Sequence, residues 1–326
     1  MSSRKELRDF VLSTTRQENA QTGSLVNDFI NQTISEINDP AWAFRENFNH
    51  LWSWLRRKTS FSTVANTSEY VLGREVDRIA LMRQESTPTK IKQIPDELFF
   101  RLVPDPDDTG SPLWYRLWDI EGVSTRLSSA GTIDVLSSSA SDAGSVELAV
   151  SVLGFVSGIL RTETYQLNGT TAVAGSLTFQ AREIYVSKQK NTTGTITVRR
   201  NSDSSTIVTL GPTERAPKFK VINLYPIPSA AITIYVEYYA RIPTLNNDSD
   251  VPIIDEKWSY VIRLGTLAKV YSYLNKTVEF AALQTQYEKS VRAMVAADRA
   301  NPDLIDYLNP ESNIFPLARA NRATTT

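Results

Sequence analysis

The periodicity of the apolar residues changes twice along the chain. It is helical near the N-terminus, alternates as in β-strands through the middle, and becomes helical again after residue 250. Helices segregated from a β-rich segment predict an α+β protein. The 326 residues are enough for two or three domains with a sizeable core.

Three helices are predicted before residue 58. The first has apolar residues at helical spacing from Leu7, and the second has Ser24 as a candidate N-cap. The third begins with Asp39 as N-cap and Pro40 in the first turn, and it ends in the basic run Arg56–Lys58, which suits the negative end of a helix dipole. The predicted stripes are Leu7, Phe10, Val11 and Thr14; Val26, Ile30, Thr33 and Ile37; and Phe44, Phe48, Leu51, Trp52 and Leu55.

After Lys58 the pattern predicts strands, which form a small sheet or barrel. Two strands flank a turn at Ala65–Thr67, and further strands lie in "SPLWYRLWDI" and in "KFKVINLYPIPSAAITIYVEYYARIP". In the last of these, Ile232, Ile234, Val236 and Tyr238 face one way, and Pro226 and Pro228 mark the preceding turn.

Residues 128–212 differ in composition, being rich in Ser, Thr, Gly and Val. Six short alternating segments are separated by turns such as "SDAG", "LNGT", "KNTTG" and "NSDSS". This rhythm predicts an immunoglobulin-like β-sandwich inserted into a host domain. A flat β-insertion within a barrel is the alternative.

The stretch "DVPIIDEKWSYVIRLGTLAKVYSYL" predicts a helix that is apolar on two sides and therefore buried on two sides. Asp255 is its N-cap, and the small residues Gly265 and Ala268 allow close approach of another backbone. A second helix follows after "NK", so that the two form an αα-hairpin. The faces are Tyr260, Leu264, Leu267, Tyr271 and Leu274; Trp258, Val261, Gly265 and Ala268; and, on the second helix, Phe280, Leu283, Tyr287, Val291 and Met294.

Residues 302–326 have no period, and three prolines prevent a long helix. The segment is nevertheless richer in apolar residues than a solvated tail. We predict an extended arm that lies on another chain; a solvated or self-docked tail is the alternative. The residues predicted to make this contact are Leu304, Tyr307, Leu308, Ile314, Phe315 and Leu317.

The sequence offers little for catalysis or cofactor binding. Cysteine does not occur, so disulfides and thiolate sites are excluded, and the single histidine, His50, is interpreted as a packing or capping residue. The acidic run Asp105–Gly110 is interpreted as a polar turn rather than a cation site. No phosphate-binding loop or nucleophile motif occurs, and the net charge of -1 gives no bulk attraction to nucleic acid or membrane. We expect no cofactor, no metal and no enzymatic activity, in a soluble protein made in a cytoplasm.

An ordered set of short motifs resembles the head-to-tail adaptor (connector) proteins of tailed bacteriophages, relatives of the podophage tail accessory factor. The resemblance covers roughly residues 24–127 and 213–300. The 128–212 block is not part of its minimal pattern, and Gly73 stands where the pattern prefers proline. The matching residues are Ile30, Asn31, Tyr70, Leu72, Asp77, Gly110, Pro112, Tyr115, Tyr238, Tyr239, Pro243, Leu245, Asp248, Asp250, Pro252, Trp258, Leu264, Gly265, Leu267 and Ala268.

This resemblance implies a structural virion protein at the neck, between capsid and tail, made in the host bacterial cytoplasm. Such adaptors form a dodecameric ring under the portal protein, extend the channel through which genomic DNA passes without specific binding, and dock the tail or next neck-ring protein. It implies a discontinuous adaptor core, 1–127 and 213–301, with the insertion at 128–212 and the portal-binding arm at 302–326. The packing helix carries Trp258, Val261, Leu264, Gly265, Ala268 and Tyr271 against its own core or a neighbouring subunit.

Three alternatives belong to other classes. A receptor- or carbohydrate-binding tail protein would use the sandwich, with Trp114 or Tyr165 in its site. A head–tail stopper would form hexameric rings, and a tail hydrolase would need a carboxylate pair that the sequence does not suggest.

Overall fold

The computed structural model describes residues 2–17, 20–39, 50–85, 89–103 and 105–299. The protein is mixed α+β, as predicted. It divides into two compact units, one comprising Met1–Arg56 and Ile242–Thr326 and the other Arg57–Arg241. We refer to them as the helical unit and the β unit.

Five α-helices and sixteen strands lie in these described ranges. The helices are α1 (Arg4–Thr15), α2 (Ala20–Asn38), α3 (Asp96–Leu102), α4 (Ser259–Tyr273) and α5 (Thr277–Arg299). The strands are β1 (Arg56–Ser62), β2 (Glu69–Val71), β3 (Val76–Gln84), β4 (Lys90–Gln93), β5 (Thr109–Gly110), β6 (Trp114–Glu121), β7 (Ile133–Ser137), β8 (Ala149–Val156), β9 (Ile159–Gln166), β10 (Val173–Ala174), β11 (Ile184–Lys188), β12 (Ile196–Arg200), β13 (Thr206–Leu210), β14 (Phe219–Tyr225), β15 (Ile227–Pro228) and β16 (Thr233–Ala240).

Helices α1 and α2 lie where the sequence predicted them, but two predicted details are wrong. A capping box between Ser3 and Glu6 begins α1, whose buried stripe is Leu7, Val11 and Thr15. Phe10 is 38% exposed, so it lies outside that stripe. The α2 stripe is buried as predicted, but α2 begins at Ala20, so Ser24 lies inside the helix and does not cap it.

The predicted helix from Asp39 to Lys58 is wrong at its C-terminal end. Residues 40–49, including Phe44 and Phe48, lie outside the described residues. The backbone of Trp52 is extended, and Ser53–Leu55 form a single 3-10 turn. The basic residues Arg56–Lys58 begin β1 rather than ending a helix. Strand pairing with β16 stabilises this segment, and such a contact with a distant part of the chain is not visible in local periodicity.

A seven-stranded sheet in the order β1-β16-β3-β4-β6-β14-β2 forms one part of the β unit. Its β4–β6 pair is parallel, whereas the other pairs with a described register are antiparallel. One face buries Met82, Tyr115, Leu224 and Val236. Helix α3, which the sequence analysis did not predict, packs Phe99 against Tyr225 in a second cluster with Ile94 and Val103.

Residues 128–212 contain the β7–β13 strands, arranged as a four-stranded sheet (β10-β7-β12-β13) and a three-stranded sheet (β11-β8-β9). Inward-facing residues of both sheets share one hydrophobic core, which includes Val135, Val152, Phe179 and Val198. The core also takes in Val123 and Phe219, just outside the predicted boundaries. Polar turns separate the strands at the positions that the sequence predicted.

Helices α4 and α5 follow one another with three residues between them, and Gly265 of α4 allows close packing on two sides. A β-carbon at this position would lie 2.5 Å from Cγ2 of Thr33 in α2 and 2.8 Å from Cε2 of Tyr287 in α5. Two side chains, rather than a backbone, therefore occupy the space that the glycine leaves. The buried stripe of α5 comprises Tyr287, Val291, Met294 and Val295.

Candidate functional site

The loop between β16 and α4, residues 242–255, carries the densest group of motif residues, and α1 and α2 hold it in place. The side chain of Asn31 in α2 forms a reciprocal pair of hydrogen bonds with the backbone of Leu245: its Nδ2 donates to the carbonyl oxygen at 3.1 Å, and its Oδ1 accepts from the amide at 2.9 Å. Leu245 itself is buried. An amide side chain is required here because it both donates and accepts.

Helix α1 binds the same loop through ion pairs. The guanidinium of Arg8 donates two hydrogen bonds to the carboxylate of Asp248, at 2.7 and 3.0 Å, and Arg4 donates a third at 3.0 Å. These hydrogen bonds, first from Arg8 and then from Arg4, lower the pKa of Asp248 to about 2. The backbone amides of Arg4 and Lys5 also donate to loop carbonyls.

Asp250 orders the loop internally. Its carboxylate accepts hydrogen bonds from the backbone amides of Asn247 and Asn246, each at 2.7 Å. These bonds, with that of Asn247 the largest contribution, lower the pKa of Asp250. The acidic residues of "NNDSD" therefore shape and attach the loop, which is a structural role.

Near the C-terminal end of α5, Asp298 is buried and anchors the segment that follows residue 49. Its carboxylate accepts hydrogen bonds from Ser53 Oγ at 2.5 Å and from the Ser53 amide at 3.2 Å, and it contacts His50 Nε2 at 2.7 Å. Burial raises the pKa of this carboxyl, but the bonds from His50 and Ser53 outweigh it, so the pKa is lowered. His50 packs edge-on against Trp52, which confirms the predicted packing role.

A groove of about 390 Å³ opens beside this anchor. It is bordered by Ser53 and Trp54 on one side, by Asp255 and Trp258 before α4, and by Met294 and Asp298 on α5. Met294 and Asp298 place the C-terminal part of α5 at this groove.

The packing-helix residues fall into two groups. Val261, Gly265 and Ala268 are buried, and Trp258, Leu264 and Tyr271 are half-buried. The predicted face that begins at Tyr260 is less buried than the one that begins at Trp258. Tyr260 is 43% exposed, and Leu267 is the one fully buried member of its face within α4. Ile262 and Thr266, which the prediction did not include, complete the buried side.

The six predicted arm residues, Leu304, Tyr307, Leu308, Ile314, Phe315 and Leu317, lie outside the described residues. Among the residues described, no group of three or more His, Asp or Glu side chains is arranged to hold a metal ion. Asp105–Gly110 contains a turn, with Asp105 accepting from the Asp107 amide at 3.0 Å. None of the described helices is long and apolar enough to cross a membrane.

A protein-family model matches part of the chain. The family model described as SU10 adaptor protein matches residues 155–306, somewhat less than half of the chain. The match covers the loop, α4 and α5, and it begins inside the block that the sequence analysis interpreted as an insertion. No curated protein matches the chain. The family match supports a phage adaptor-type protein, a structural component of the virion.

Part of this site was not predicted from the sequence. Arg4 and Arg8 were not among the predicted site residues, although their spacing of four places both on one face of a helix. Asp298 also went unnoticed, because its partners lie more than 240 residues away in the chain. The feature that the sequence did offer is an acidic residue in the last turn of a helix, where its charge is unfavourable to the helix dipole.

Proposed function

We propose that this chain is a head-to-tail adaptor: a structural virion protein that forms a ring under the portal, extends the DNA channel and links the capsid to the tail. The observation that carries the proposal is the match to the SU10 adaptor model, which covers part of the β unit together with the loop, α4 and α5 of the helical unit. The resemblance in the motif residues supports the same role.

The geometry of the helical unit supports a scaffold rather than a catalyst. Asn31, Asp248, Asp250 and Asp298 all have their polar atoms engaged in holding backbone or partner side chains. These contacts fix the loop to α1 and α2, and they fix the segment with His50 and Ser53 to α5. A ring subunit needs such rigidity, because each of its faces must match a neighbour at a fixed angle.

In a closed ring, each subunit presents two different faces to its neighbours. We assign one of them to the less buried side of α4, with the half-buried Leu264 and Tyr271 and with Tyr260 exposed by 43%. Aromatic residues are enriched at protein interfaces, which supports this assignment. The ring is a dodecamer in the proposal, as the resemblance implies.

The 128–212 block is proposed as an immunoglobulin-like domain inserted into the discontinuous core 1–127 and 213–301. Two sheets around one shared core support a β-sandwich. Deleting 128–212 and joining the flanking strands with a short glycine–serine linker should leave ring formation intact if the domain is peripheral.

We assign portal binding to the arm, residues 302–326, and this assignment can be tested by truncation. The arm residues Leu304, Tyr307, Leu308, Ile314, Phe315 and Leu317 would order on the portal when they bind. A chain ending at residue 301 should lose portal binding in a pull-down assay while its thermal unfolding is unchanged. Replacing Leu304, Tyr307 and Phe315 by alanine should have the same effect.

The matched control replaces three polar residues of the same segment, Glu311, Asn313 and Asn321, by alanine, and it should bind normally. Normal binding by the truncated chain would refute the role of the arm. If the control variant loses portal binding to the same extent, the apolar side chains of the arm are not what determines binding.

A further inference from the structure

Strand β9 has one edge that no other strand covers. It lies at the end of the three-stranded sheet and pairs with β8 along all eight of its residues without a bulge. Within the described range 105–299, its backbone pairs with no other strand. It also contains no proline, a residue that protects edge strands from further pairing. The backbone of β9 is therefore available to pair with another strand.

The other edges of the two sheets in residues 128–212 are covered by the chain itself or are short. At the far edge of the three-stranded sheet, the Lys188 amide of β11 donates to the carbonyl oxygen of Arg215 at 2.8 Å. In the four-stranded sheet, the Ser124 amide donates to the carbonyl oxygen of Ile207 in β13 at 3.1 Å, and β10 at the opposite edge has two residues. Strand β9 is thus the long edge that remains open.

The hydrogen-bonding pattern shows which residues of β9 face this open edge. The Leu167 amide, one residue past the strand, donates to the carbonyl oxygen of Leu148 at 2.9 Å and continues the β8–β9 register. Because antiparallel neighbours alternate between bonded and non-bonded pairs, the odd-numbered residues of β9 bond to β8, and the even-numbered residues direct their amides and carbonyls outward. The outward residues are all exposed: Leu160, Thr162, Thr164 and Gln166.

The charges of β9 suit pairing with a second copy of the same strand. The strand carries Arg161 and Glu163, on either side of Thr162. When two β9 strands run antiparallel with Thr162 opposite Thr162, Arg161 of each lies opposite Glu163 of the other, and such opposite-charge pairs contribute about 0.2–1 kcal/mol each. Registers centred on residue 161 or 163 place like charges opposite each other. The adjacent residues 173–177 carry no charge, so the register centred on Thr162 is favoured.

Glu163 is ordered and ionised in the single chain. Its carboxylate accepts hydrogen bonds from the Ser176 amide and from the Tyr165 hydroxyl, each at 2.6 Å. Burial raises the pKa of Glu163, but these hydrogen bonds outweigh it, so the pKa is lowered. Arg161 is exposed and forms no ion pair within the described part of the chain. In the paired strands, each Arg161 would therefore be attracted to a carboxylate that is already fixed in place.

Two exposed apolar side chains lie at the N-terminal end of the same strand. Ile159 is 60% exposed and Leu160 is 51% exposed. In the register centred on Thr162, Ile159 lies opposite Tyr165 of the second copy, and Leu160 lies opposite Thr164. Pairs of a β-branched and an aromatic residue are favourable across strands. Pairing would thus give both apolar side chains neighbours that they lack in the single chain.

We propose that β9 is a self-association strand: two copies of the chain pair antiparallel through this edge, with Thr162 on the two-fold axis. Their three-stranded sheets then join into one sheet of six strands, and the outward residues exchange about six backbone hydrogen bonds. This contact is isologous, whereas the contacts that close a ring are heterologous. It is a separate interface and does not rest on the proposed adaptor function.

Disulfide trapping tests the register directly on the full-length chain, because the sequence contains no cysteine. In the proposed pair, the two Thr162 α-carbons lie about 5.5 Å apart, which a disulfide can span. Thr162→Cys should therefore form a disulfide-linked dimer under mild oxidation, seen on a non-reducing gel. The matched control is Thr164→Cys, whose α-carbons would lie about 14 Å apart along the strands, so it should not cross-link.

Sedimentation equilibrium of the full-length chain measures the affinity. Thr162→Pro removes an amide that no described acceptor binds, and it should raise the dimer Kd by about tenfold or more. Its matched control, Thr162→Val, keeps the amide and should associate like the wild type, and thermal unfolding of both variants checks the fold. Arg161→Glu changes an exposed side chain and places like charges opposite each other, so it should raise the Kd by at least about threefold, whereas Arg161→Lys should not.

Three outcomes would overturn the proposal. One is a wild-type chain that stays monomeric at the highest concentration reached, with no disulfide in Thr162→Cys. Another is equal cross-linking of Thr162→Cys and Thr164→Cys, which would indicate random collision. The third is wild-type affinity in both Thr162→Pro and Arg161→Glu, which would place self-association on another surface.

Discussion

Gly265→Ala should destabilise the helical unit, although alanine is the better helix former. In α4 the substitution gains about 1 kcal/mol of helix propensity. It also places a methyl group 2.5 Å from Thr33 Cγ2 and 2.8 Å from the Tyr287 ring. Both neighbours are within 1% of complete burial, so neither can move aside into solvent. Overpacking of this kind costs about 1–3 kcal/mol. Because both contacts are shorter than real β-carbons show, we expect a steric cost in the upper part of this range and a net loss of about 1–2 kcal/mol.

The measurement is urea unfolding followed by far-UV circular dichroism, with Gly23→Ala as the matched control. Gly23 also lies in a helix, α2, but a β-carbon there would make only ordinary contacts at 4.0 Å with Arg8 and Leu12. This control should stabilise the protein by up to about 1 kcal/mol. A Gly265→Ala protein as stable as the wild type, or more stable, would refute the argument.

The contact with Thr33 can be isolated by a double-mutant cycle. Thr33→Ser removes Cγ2 but keeps the hydroxyl that donates to the Phe29 carbonyl oxygen at 2.8 Å. The cost of Gly265→Ala should therefore be smaller in the Thr33→Ser background, with a coupling free energy of about 0.5 kcal/mol or more. If the effects of Gly265→Ala and Thr33→Ser on the free energy of unfolding are additive, the added methyl group clashes with Tyr287 and not with Thr33.

Three further predictions concern polar contacts of the helical unit. Asn31→Ala removes both hydrogen bonds to Leu245 and should lower the free energy of unfolding by about 1–3 kcal/mol in chemical denaturation; an unchanged midpoint would contradict the role of Asn31. Asp248 has a pKa lowered from 3.8 to about 2, so its stabilisation is complete above pH 4 and is lost as the pH falls towards 2. The stability difference between wild type and Asp248→Asn should shrink over that range, and a difference that does not depend on pH would refute the charge pairing. Asp298→Ala leaves His50 without its buried partner and should cost about 2 kcal/mol or more, measured as a lower midpoint, whereas an unchanged midpoint would show that the pair contributes nothing.

The parts of the fold that could be predicted depend on local pattern. The stripe Val26, Ile30, Thr33 and Ile37 is buried as predicted, because a helix of nineteen residues repeats its period several times. The strands β7, β8, β12 and β13 were also predicted, since β-branched residues alternate between polar turns.

The parts that could not be predicted depend on contacts between distant segments. Helix α3 has seven residues, too few to show a period, and its one buried side chain, Phe99, packs on the sheet. The segment from Trp52 to Lys58 resembles a helix in its aromatic spacing, yet pairing with β16 makes its second half a strand.

The candidate site divides in the same way. Asn31, Leu245 and Asp248 were singled out as motif residues. The contacts of Asn31 with Leu245 and of Asp248 with Arg8 each join residues more than 200 positions apart, and one sequence does not reveal such pairs.

The central claim, that this chain is a head-to-tail adaptor, is tested most directly by imaging. The purified chain is mixed with the portal ring of the same virus, and the product is examined by electron microscopy. The account predicts a twelve-fold collar added beneath the portal, with density for the arm reaching up to it. No complex with the portal, together with labelling of the protein at fibre tips or at the distal tail of virions, would contradict the account and indicate a receptor-binding protein.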